Sequence, residues 1–263
     1  SSTGGATITT SGLVWGASTN PEITLTTKTT DGTISGTFTS SITGLTQGTT
    51  YHVRAYATNY LGTTYGPDIT FTTLTLPTVS ATATISAITG TTATGGGTIT
   101  SDGGATVTTR GVVWGTTTGS STFSATSGTG TGSYLSNLSG LTPATIYYVR
   151  AFATNSVGTV YGPETSFTST ATAPILNTTA ASSITQNTAI SGGTITSNGG
   201  SDIISSGICW STSATPTIAN SKTTNGTTSG TFTSSMTGLA LGTTYYVRAY
   251  ATNAIGTGYG AAQ

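Results

Sequence analysis

Residues 140–155 read Gly-Leu-Thr-Pro-Ala-Thr-Ile-Tyr-Tyr-Val-Arg-Ala-Phe-Ala-Thr-Asn, and closely similar stretches occupy residues 44–59 and 238–253. After the first Tyr, small apolar residues alternate with larger ones, which predicts a β-strand with one buried face. A second landmark is a tryptophan in each copy: Trp15, Trp114 and Trp210. These lie 99 and 96 residues apart, which is the size of a domain. The chain therefore contains three copies of one domain-sized unit.

The repeat predicts three domains joined by short linkers. The predicted boundaries are 1–74, 75–170 and 171–263, called repeats one, two and three below. The linker segments Leu74-Thr75-Leu76-Pro77 and Thr170-Ala171-Thr172-Ala173-Pro174 are short, and each proline stiffens an extended connection. We expect an extended, semi-rigid string of domains.

Each repeat is predicted to be all-β. Gly, Asn, Asp or Pro interrupts runs rich in Thr, Val, Ile and Tyr, and no stretch has the 3.6-residue apolar stripe of a helix. In repeat two the predicted strands are 79–88, 91–100, 105–116, 121–127, 133–139, 145–155 and 158–169. Seven short strands fit a sandwich of two antiparallel sheets. Asp31-Gly32 and Asn225-Gly226 predict type I′ hairpin turns, which need positive φ at both central residues.

The pattern Leu-Thr-x-x-Thr-x-Tyr-x-Val-Arg-Ala-x-Ala-x-Asn resembles the sixth strand of the fibronectin type III family. The resemblance implies an all-β fold, a tandem array of Ig-like/fibronectin type III β-sandwich domains. It also implies that three tyrosines are tyrosine corners, whose hydroxyls fix the preceding loop: Tyr51, Tyr147 and Tyr245. One departure is that the Trp lies on the third strand, whereas the family has it on the second. The Thr-rich, charge-poor repeats look like the tandem modules of large bacterial surface and secreted proteins.

Composition disfavours several function classes. Only 5% of the 263 residues are charged, with six Lys/Arg against six Asp/Glu, so no basic surface for nucleic acid is expected. No apolar run approaches the roughly 18 residues of a membrane-spanning helix, so no membrane span is expected in this segment. One His, one Cys and six acids are few groups for a catalytic or metal site. We therefore expect no enzymatic activity, no cofactor and no metal.

The sixth strand offers the best candidate for a binding surface. If Tyr51 and the alternating Val and Ala residues point inward, an aromatic-Arg-aromatic face points outward. It comprises His52, Arg54, Tyr56, Tyr148, Arg150, Phe152, Tyr246, Arg248 and Tyr250. Such a face can stack on sugars or protein partners. The simpler interpretation is an intramolecular cation–π ladder, with each Arg between two rings of its own sheet.

Other chemistry-bearing residues receive structural interpretations. The tryptophans are expected to fill the core, although a surface Trp stacked over the strand-six Arg is the alternative. Cys209 takes the place of Val14 and Val113, so we expect a small buried side chain. The loops Ser101-Asp102-Gly103-Gly104 and Ser197-Asn198-Gly199-Gly200 each offer at most one carboxylate, too few for calcium.

Alignment of the repeats places Ser1 near Asp102 and ends the chain within the last strand of repeat three. We expect a segment of a longer repetitive protein, or a subunit whose gaps a neighbour fills. The leading hypothesis is a structural repeat segment of an extracellular filament, stalk or adhesin shaft, at the cell surface or outside the cell. Its partners would be neighbouring identical repeats or subunits. The alternative is a carbohydrate- or protein-binding accessory module of a secreted polysaccharide-degrading enzyme, with glycans as partners. Ice binding through Thr-x-Thr arrays is a third, weaker hypothesis.

Overall fold

The computed structural model describes residues 4–263, and its regular secondary structure is β throughout. The strands of repeat one are β1 (Thr10–Gly16), β2 (Thr50–Asn59), β3 (Gly62–Tyr65) and β4 (Ile69–Thr72). Those of repeat two are β5 (Thr78–Thr82), β6 (Thr92–Ser101), β7 (Thr109–Gly115), β8 (Phe123–Thr126), β9 (Gly132–Ser139), β10 (Ile146–Thr154), β11 (Thr159–Tyr161) and β12 (Thr165–Thr168). Those of repeat three are β13 (Ile175–Ser182), β14 (Thr188–Ser197), β15 (Ser205–Ser211), β16 (Ser221–Lys222), β17 (Gly230–Thr237), β18 (Tyr246–Thr252) and β19 (Thr257–Tyr259). The alignment of Ser1 with Asp102 lies outside the described residues.

Repeats two and three are two-sheet sandwiches. In repeat two, the sheet β5-β6-β9 packs on the sheet β11-β10-β7-β8, in which β12 also pairs with β10. Repeat three repeats this order, with β13-β14-β17 facing β16-β15-β18-β19. All the pairings are antiparallel. The described chain is therefore all-β, with β-sandwiches in tandem in repeats two and three, as the sequence predicts.

Two of the three tryptophans, Trp114 and Trp210, belong to the core between the sheets. Trp114 packs with Val112, Leu138 and Val149 in a cluster that both sheets of repeat two supply. Trp210 occupies the equivalent cluster of repeat three, and Trp15 is also buried. The expectation that they fill the core is confirmed for Trp114 and Trp210, and the burial of all three shows that the surface-Trp alternative is wrong.

The tyrosine-corner prediction is confirmed in all three repeats. The N–H of Thr46 donates to the hydroxyl of Tyr51 at 3.1 Å. In the other repeats, the N–H of Thr142 donates to Tyr147 at 2.9 Å and that of Ala240 to Tyr245 at 3.2 Å. The ring of Tyr147 joins the core cluster of repeat two. Each corner thus fixes the loop that precedes the sixth strand to that strand.

Several predicted details are wrong. The first predicted strand, 79–88, shortens to β5, because the ladder with β6 contains register shifts and continues only as an isolated bridge between Ser86 and Thr94. The third predicted strand, 105–116, is β7 and begins only at Thr109. The last predicted strand, 158–169, is divided into β11 and β12. The break is at Gly162-Pro163, because a proline has no N–H to donate to the neighbouring strand.

The prediction of type I′ turns at Asp31-Gly32 and Asn225-Gly226 is also wrong. Among non-glycine residues, neither Asp31 nor Asn225 has a positive φ; only the glycines that follow them do. The side chains explain this conformation. Asp31 accepts hydrogen bonds from Thr29 and Ser40, and Asn225 makes equivalent bonds with Thr223 and Ser234. These polar side chains connect two segments of each repeat, so the dipeptides are not simple hairpin ends.

Candidate functional site: the sixth-strand face and the repeat junctions

The sixth strand of each repeat, β2, β10 or β18, alternates as predicted in repeats two and three. Its inward residues there are fully buried: Val149, Ala151, Ala153, Val247, Ala249 and Ala251. The opposite side carries the nine candidate binding residues. The structure divides these into three rows, one for each position along the strand.

The row furthest along the strand is buried. Tyr56, Phe152 and Tyr250 retain 4%, 9% and 2% of their surface. Each ring lies opposite a glycine of the neighbouring strand, and the hydroxyl of Tyr56 donates to the Thr29 carbonyl at 2.7 Å. The hydroxyl of Tyr250 donates to the Thr223 carbonyl at the same distance. These rings face outward from the core but are covered, so they offer no open surface for stacking.

The arginine row forms a cation–π ladder inside each repeat. The guanidinium of Arg150 lies 4.6 Å from the ring centre of Tyr161 on β11. Arg54 and Arg248 stack in the same way, at 4.5 Å on Tyr65 and 4.6 Å on Tyr259. The expected intramolecular ladder is present. The ring belongs to the same sheet, as expected, but each Arg stacks on one ring, from the next strand, and not between two.

Backbone carbonyls hold the guanidinium groups in place. Arg54 Nε donates to the Gly66 carbonyl at 3.0 Å, and Arg248 Nε to the Gly260 carbonyl at 2.9 Å. Arg150 differs, since its Nη2 donates to the Gly119 carbonyl at 2.6 Å and its buried Nε has no hydrogen-bond partner. Sequence reasoning missed the tyrosine partners, although a Tyr-Gly dipeptide follows the motif in every repeat.

The first row, His52, Tyr148 and Tyr246, differs between repeats. His52 Nδ1 lies 2.9 Å from Asp68 Oδ2, and Asp68 also accepts a hydrogen bond from the Asn20 N–H at 2.7 Å. The Asn20 bond, followed by the His52 interaction, holds the pKa of Asp68 below its ordinary value of 3.8. In repeat two, Glu164 accepts from the Gly119 N–H at 2.7 Å. Each of these carboxylates therefore anchors a loop through a backbone N–H.

Cys209 and the glycine loops have structural surroundings. Cys209 is fully buried, and this burial raises the pKa of its thiol. The carboxylate of Asp102 accepts a hydrogen bond from the Gly104 N–H at 2.9 Å, so it stabilises its own turn. Within residues 4–263, no cluster of three or more His, Cys, Asp or Glu side chains could hold a metal ion. In the same range, no helix has the length and apolarity to cross a membrane.

The final Asn of the motif fixes the linker at each junction. Asn155 Nδ2 donates to the carbonyls of Thr75, in the linker, and Asp102, at 2.7 and 2.8 Å. Its Oδ1 accepts the Val157 N–H at 2.9 Å. Asn253 makes the same set of bonds in repeat three, with Thr172 as the linker residue. The sequence marks this Asn as part of the motif, but its role depends on a residue about 80 positions away.

Adjacent repeats also touch directly. A Cβ built on Gly200 of repeat three would overlap the Ala144 side chain of repeat two and lie 3.0 Å from the Pro143 carbonyl. The linker adds a backbone hydrogen bond from the Thr172 N–H to the Gly199 carbonyl at 2.8 Å. At the first junction, the Thr75 N–H donates to the Gly103 carbonyl at 2.9 Å. The two linkers are therefore held by the same type of contact.

Comparison with protein-family models finds no match, and comparison with curated proteins finds none. Among solved structures, the chain matches the crystal structure of the chicken CNTN1 FN1-FN3 domains. The identity is 16%, the match covers 100% of this chain and 88% of that chain, and the TM-score is 0.28. The assignment of the fold therefore depends on the strand order and the core described above.

Proposed function

We propose that this chain is a non-catalytic structural segment of an extracellular filament, stalk or adhesin shaft. In this proposal each repeat is one domain, with boundaries at 1–74, 75–170 and 171–263. The observation that carries the proposal is the repeated junction, in which Asn155 and Asn253 bind the linker carbonyls of Thr75 and Thr172.

The junction supports a shaft because it limits hinge motion. The amide of Asn155 is buried and holds both the linker and the 101–104 loop of the same repeat. Movement of the Thr75 segment away from repeat two would break these bonds and leave the buried amide of Asn155 without its partners, which is unfavourable. A module that is only tethered to an enzyme does not need such a junction. A shaft does, because it must hold a fixed distance between its two ends.

The accessory-module alternative has less support. It needs an open aromatic surface, but three of the nine candidate residues are buried. The three arginines stack on rings of their own repeat and bond its carbonyls. The arginines of this face therefore already have their stacking and hydrogen-bonding partners within their own repeat. We propose neighbouring repeats of the same kind as the partners, and a location outside the cell or at its surface.

The test is small-angle X-ray scattering from the full chain and two variants. We expect the unmodified chain to scatter as one elongated particle of restricted flexibility. The double variant Asn155→Ala/Asn253→Ala should give a broader distribution of maximum dimensions. Asn137→Ala is the matched control, because Asn137 is exposed on β9 and lies away from both linkers. An unmodified chain as flexible as the double variant would contradict the shaft. Binding of the chain to polysaccharides would favour the accessory module.

A further inference from the structure

The two junctions place the same glycine of the following repeat against different neighbours. Gly104 of repeat two and Gly200 of repeat three lie at equivalent positions after β6 and β14, with φ angles of +81° and +79°. A Cβ built on Gly104 would lie 3.2 Å from the tip of the Leu74 side chain, which belongs to the linker. A Cβ built on Gly200 would overlap the Ala144 Cβ and lie 3.0 Å from the Pro143 carbonyl oxygen. Gly104 therefore faces a linker side chain, whereas Gly200 faces the preceding repeat itself.

The backbone of Ala144 has an unusual conformation for an alanine. Its φ is +52°, and the equivalent residues of repeats one and three, Gly48 and Gly242, are glycines with φ of +65° and +64°. A residue with a side chain is strained in this left-handed region, and glycine is not. Repeat two alone thus carries a methyl group at a position where the backbone favours glycine. That methyl group is the one that meets Gly200 across the junction, and local strain of this kind is typical of groups with a functional contact.

Both linkers are bonded to the preceding repeat by an equivalent backbone hydrogen bond. The Gly48 N–H donates to the Thr73 carbonyl at 3.2 Å, and the Ala144 N–H donates to the Thr170 carbonyl at 3.4 Å. The motif asparagines also bind the two linkers in the same way. These bonds do not distinguish the two junctions, whereas the contact on the glycine does.

The two contacts restrain motion differently. The Ala144 Cβ is fixed to the backbone of repeat two, so it cannot follow Gly200 if repeat three turns about the linker. Leu74 has rotatable side-chain bonds and belongs to the linker, so its tip can change rotamer as the repeats move. A turn at the second junction therefore compresses or opens the contact between Ala144 and Gly200, and the first junction can adapt.

We propose that Ala144 locks the orientation of repeat three on repeat two, and that bending of the chain is concentrated at the junction of repeats one and two. The surface that forms the lock is Pro143-Ala144, and it fits a following repeat that has a glycine at the position of Gly200. This inference rests on the proposed function, because it assigns one stiff and one flexible junction to the same shaft.

The test measures distances between spin labels in the full chain by double electron–electron resonance. Cys209→Val removes the native thiol, since valine occupies this position in the other repeats. The labels are attached to cysteines introduced at exposed loop positions, one in each repeat: Thr19, Thr118 and Ala214. We expect a narrower distance distribution between labels 118 and 214 than between labels 19 and 118.

The decisive variant is Ala144→Gly. It should broaden the distribution between labels 118 and 214 to the width found between labels 19 and 118. The unfolding temperature of repeat two should not fall, because glycine is unstrained at this φ. Ala87→Gly is the matched control, since Ala87 is exposed in repeat two, has a φ of +46° and lies outside the contact on Gly200. It relieves the same type of strain and should leave both distributions unchanged.

A second pair of variants adds a methyl group from the other side of each junction. Gly200→Ala and Gly104→Ala place it on backbones with nearly the same φ, so the backbone strain is matched. Gly200→Ala should shift the mean distance between labels 118 and 214, because the Pro143 carbonyl cannot move aside. Gly104→Ala should leave the mean distance between labels 19 and 118 unchanged, because the tip of Leu74 can move.

Three results would overturn the lock: equally wide distributions at the two junctions, no broadening by Ala144→Gly, or equal broadening by Ala87→Gly. Two narrow distributions that Ala144→Gly does not change would leave the shaft proposal intact. Two broad distributions would contradict both the lock and the shaft.

Discussion

Repeats one and two carry nearly the same sixth strand, yet the strand has different surroundings in each. Ala151 of repeat two is fully buried under the β5–β6 hairpin, and Ala55 of repeat one is exposed. Val149 is fully buried and Val53 is only half-buried. The alternation of the motif therefore defines a face that can be buried, but burial requires the opposing sheet.

The fifth strand gives a second comparison. Residues 132–139 form β9, whereas the matching residues 36–43 form no regular strand. Both segments have a glycine, an aromatic residue and an aliphatic residue at equivalent positions. β9 exchanges backbone hydrogen bonds with β6, and repeat one offers no equivalent strand within its described residues. Strand formation here thus depends on a pairing partner more than on local propensity.

The largest expected effect comes from a larger side chain at the sixth-strand alanine. Ala151→Leu should destabilise repeat two by about 3 kcal/mol, because the site is closed by Gly97 and overpacking forces the sheets apart. The same change at Ala55 should alter stability by less than about 0.5 kcal/mol, because that site is open. Chemical denaturation followed by hydrogen exchange, read separately for each repeat, measures both.

Repeat three provides the control for this comparison. Ala249 is buried against Gly193, so Ala249→Leu should resemble Ala151→Leu and not Ala55→Leu. Equal destabilisation at all three positions would mean that repeat one is covered in solution.

The next effect concerns the junction. Asn155→Ala should destabilise repeat two by about 2 kcal/mol, because the partly buried carbonyls of Thr75 and Asp102 lose their donor. Thermal unfolding measures the change, with Asn137→Ala as the exposed control. Exchange of the Gly103 and Val157 regions should also rise. If Asn155→Ala unfolds at the same temperature as the control, the linker is held without Asn155, by packing and by the backbone hydrogen bond from Thr75 to Gly103.

Much of the fold follows from the sequence because the relevant interactions repeat at short range. The alternation after Tyr147 predicts which residues point inward, and the pattern Gly-Val-Val-Trp-Gly predicts a buried neighbouring strand, β7. Both predictions agree with the register in which Trp114 pairs with Val149. Pairing of neighbouring antiparallel strands then leaves few alternatives for the sandwich.

The candidate face was less predictable because its contacts are between distant segments. Period-two alternation correctly places Tyr56 and Tyr250 outward, but it cannot show that carbonyls of Thr29 and Thr223 would bind and cover them. The ring partner of Arg150 belongs to the following strand, which alternation along one strand does not reveal. The side of the sheet to which a side chain points is a local property of the strand. Whether that side chain is covered depends on segments that are distant in the sequence.

A smaller effect distinguishes the tyrosine corners. Tyr147→Phe should destabilise repeat two by about 1 kcal/mol, because the partly buried Thr142 N–H loses its acceptor. Tyr51→Phe should cost less, since the Thr46 N–H is exposed and water can replace the hydroxyl. Urea denaturation of the two variants gives the comparison. A larger loss for Tyr51→Phe would reverse the ranking and show that the repeat-one loop is the better protected.

The smallest expected effect is a pH dependence confined to the loop that Asp68 holds. Its pKa is lowered in the folded chain by the Asn20 N–H and by His52, so its stabilisation is complete above the ordinary value of 3.8. Stabilisation is lost as the pH falls through the lower, folded value, because the protonated carboxyl is a weaker acceptor. The Asn20 amide shift in NMR should titrate below pH 3.8 and stop titrating in Asp68→Asn. Repeat three is the internal control, since Ala262 stands at the matching position and its loop amides should show no such step. A titration midpoint at or above pH 3.8 for the Asn20 amide would show that the loop does not stabilise the charged form of Asp68. Repeats one and three would then be equivalent at this position.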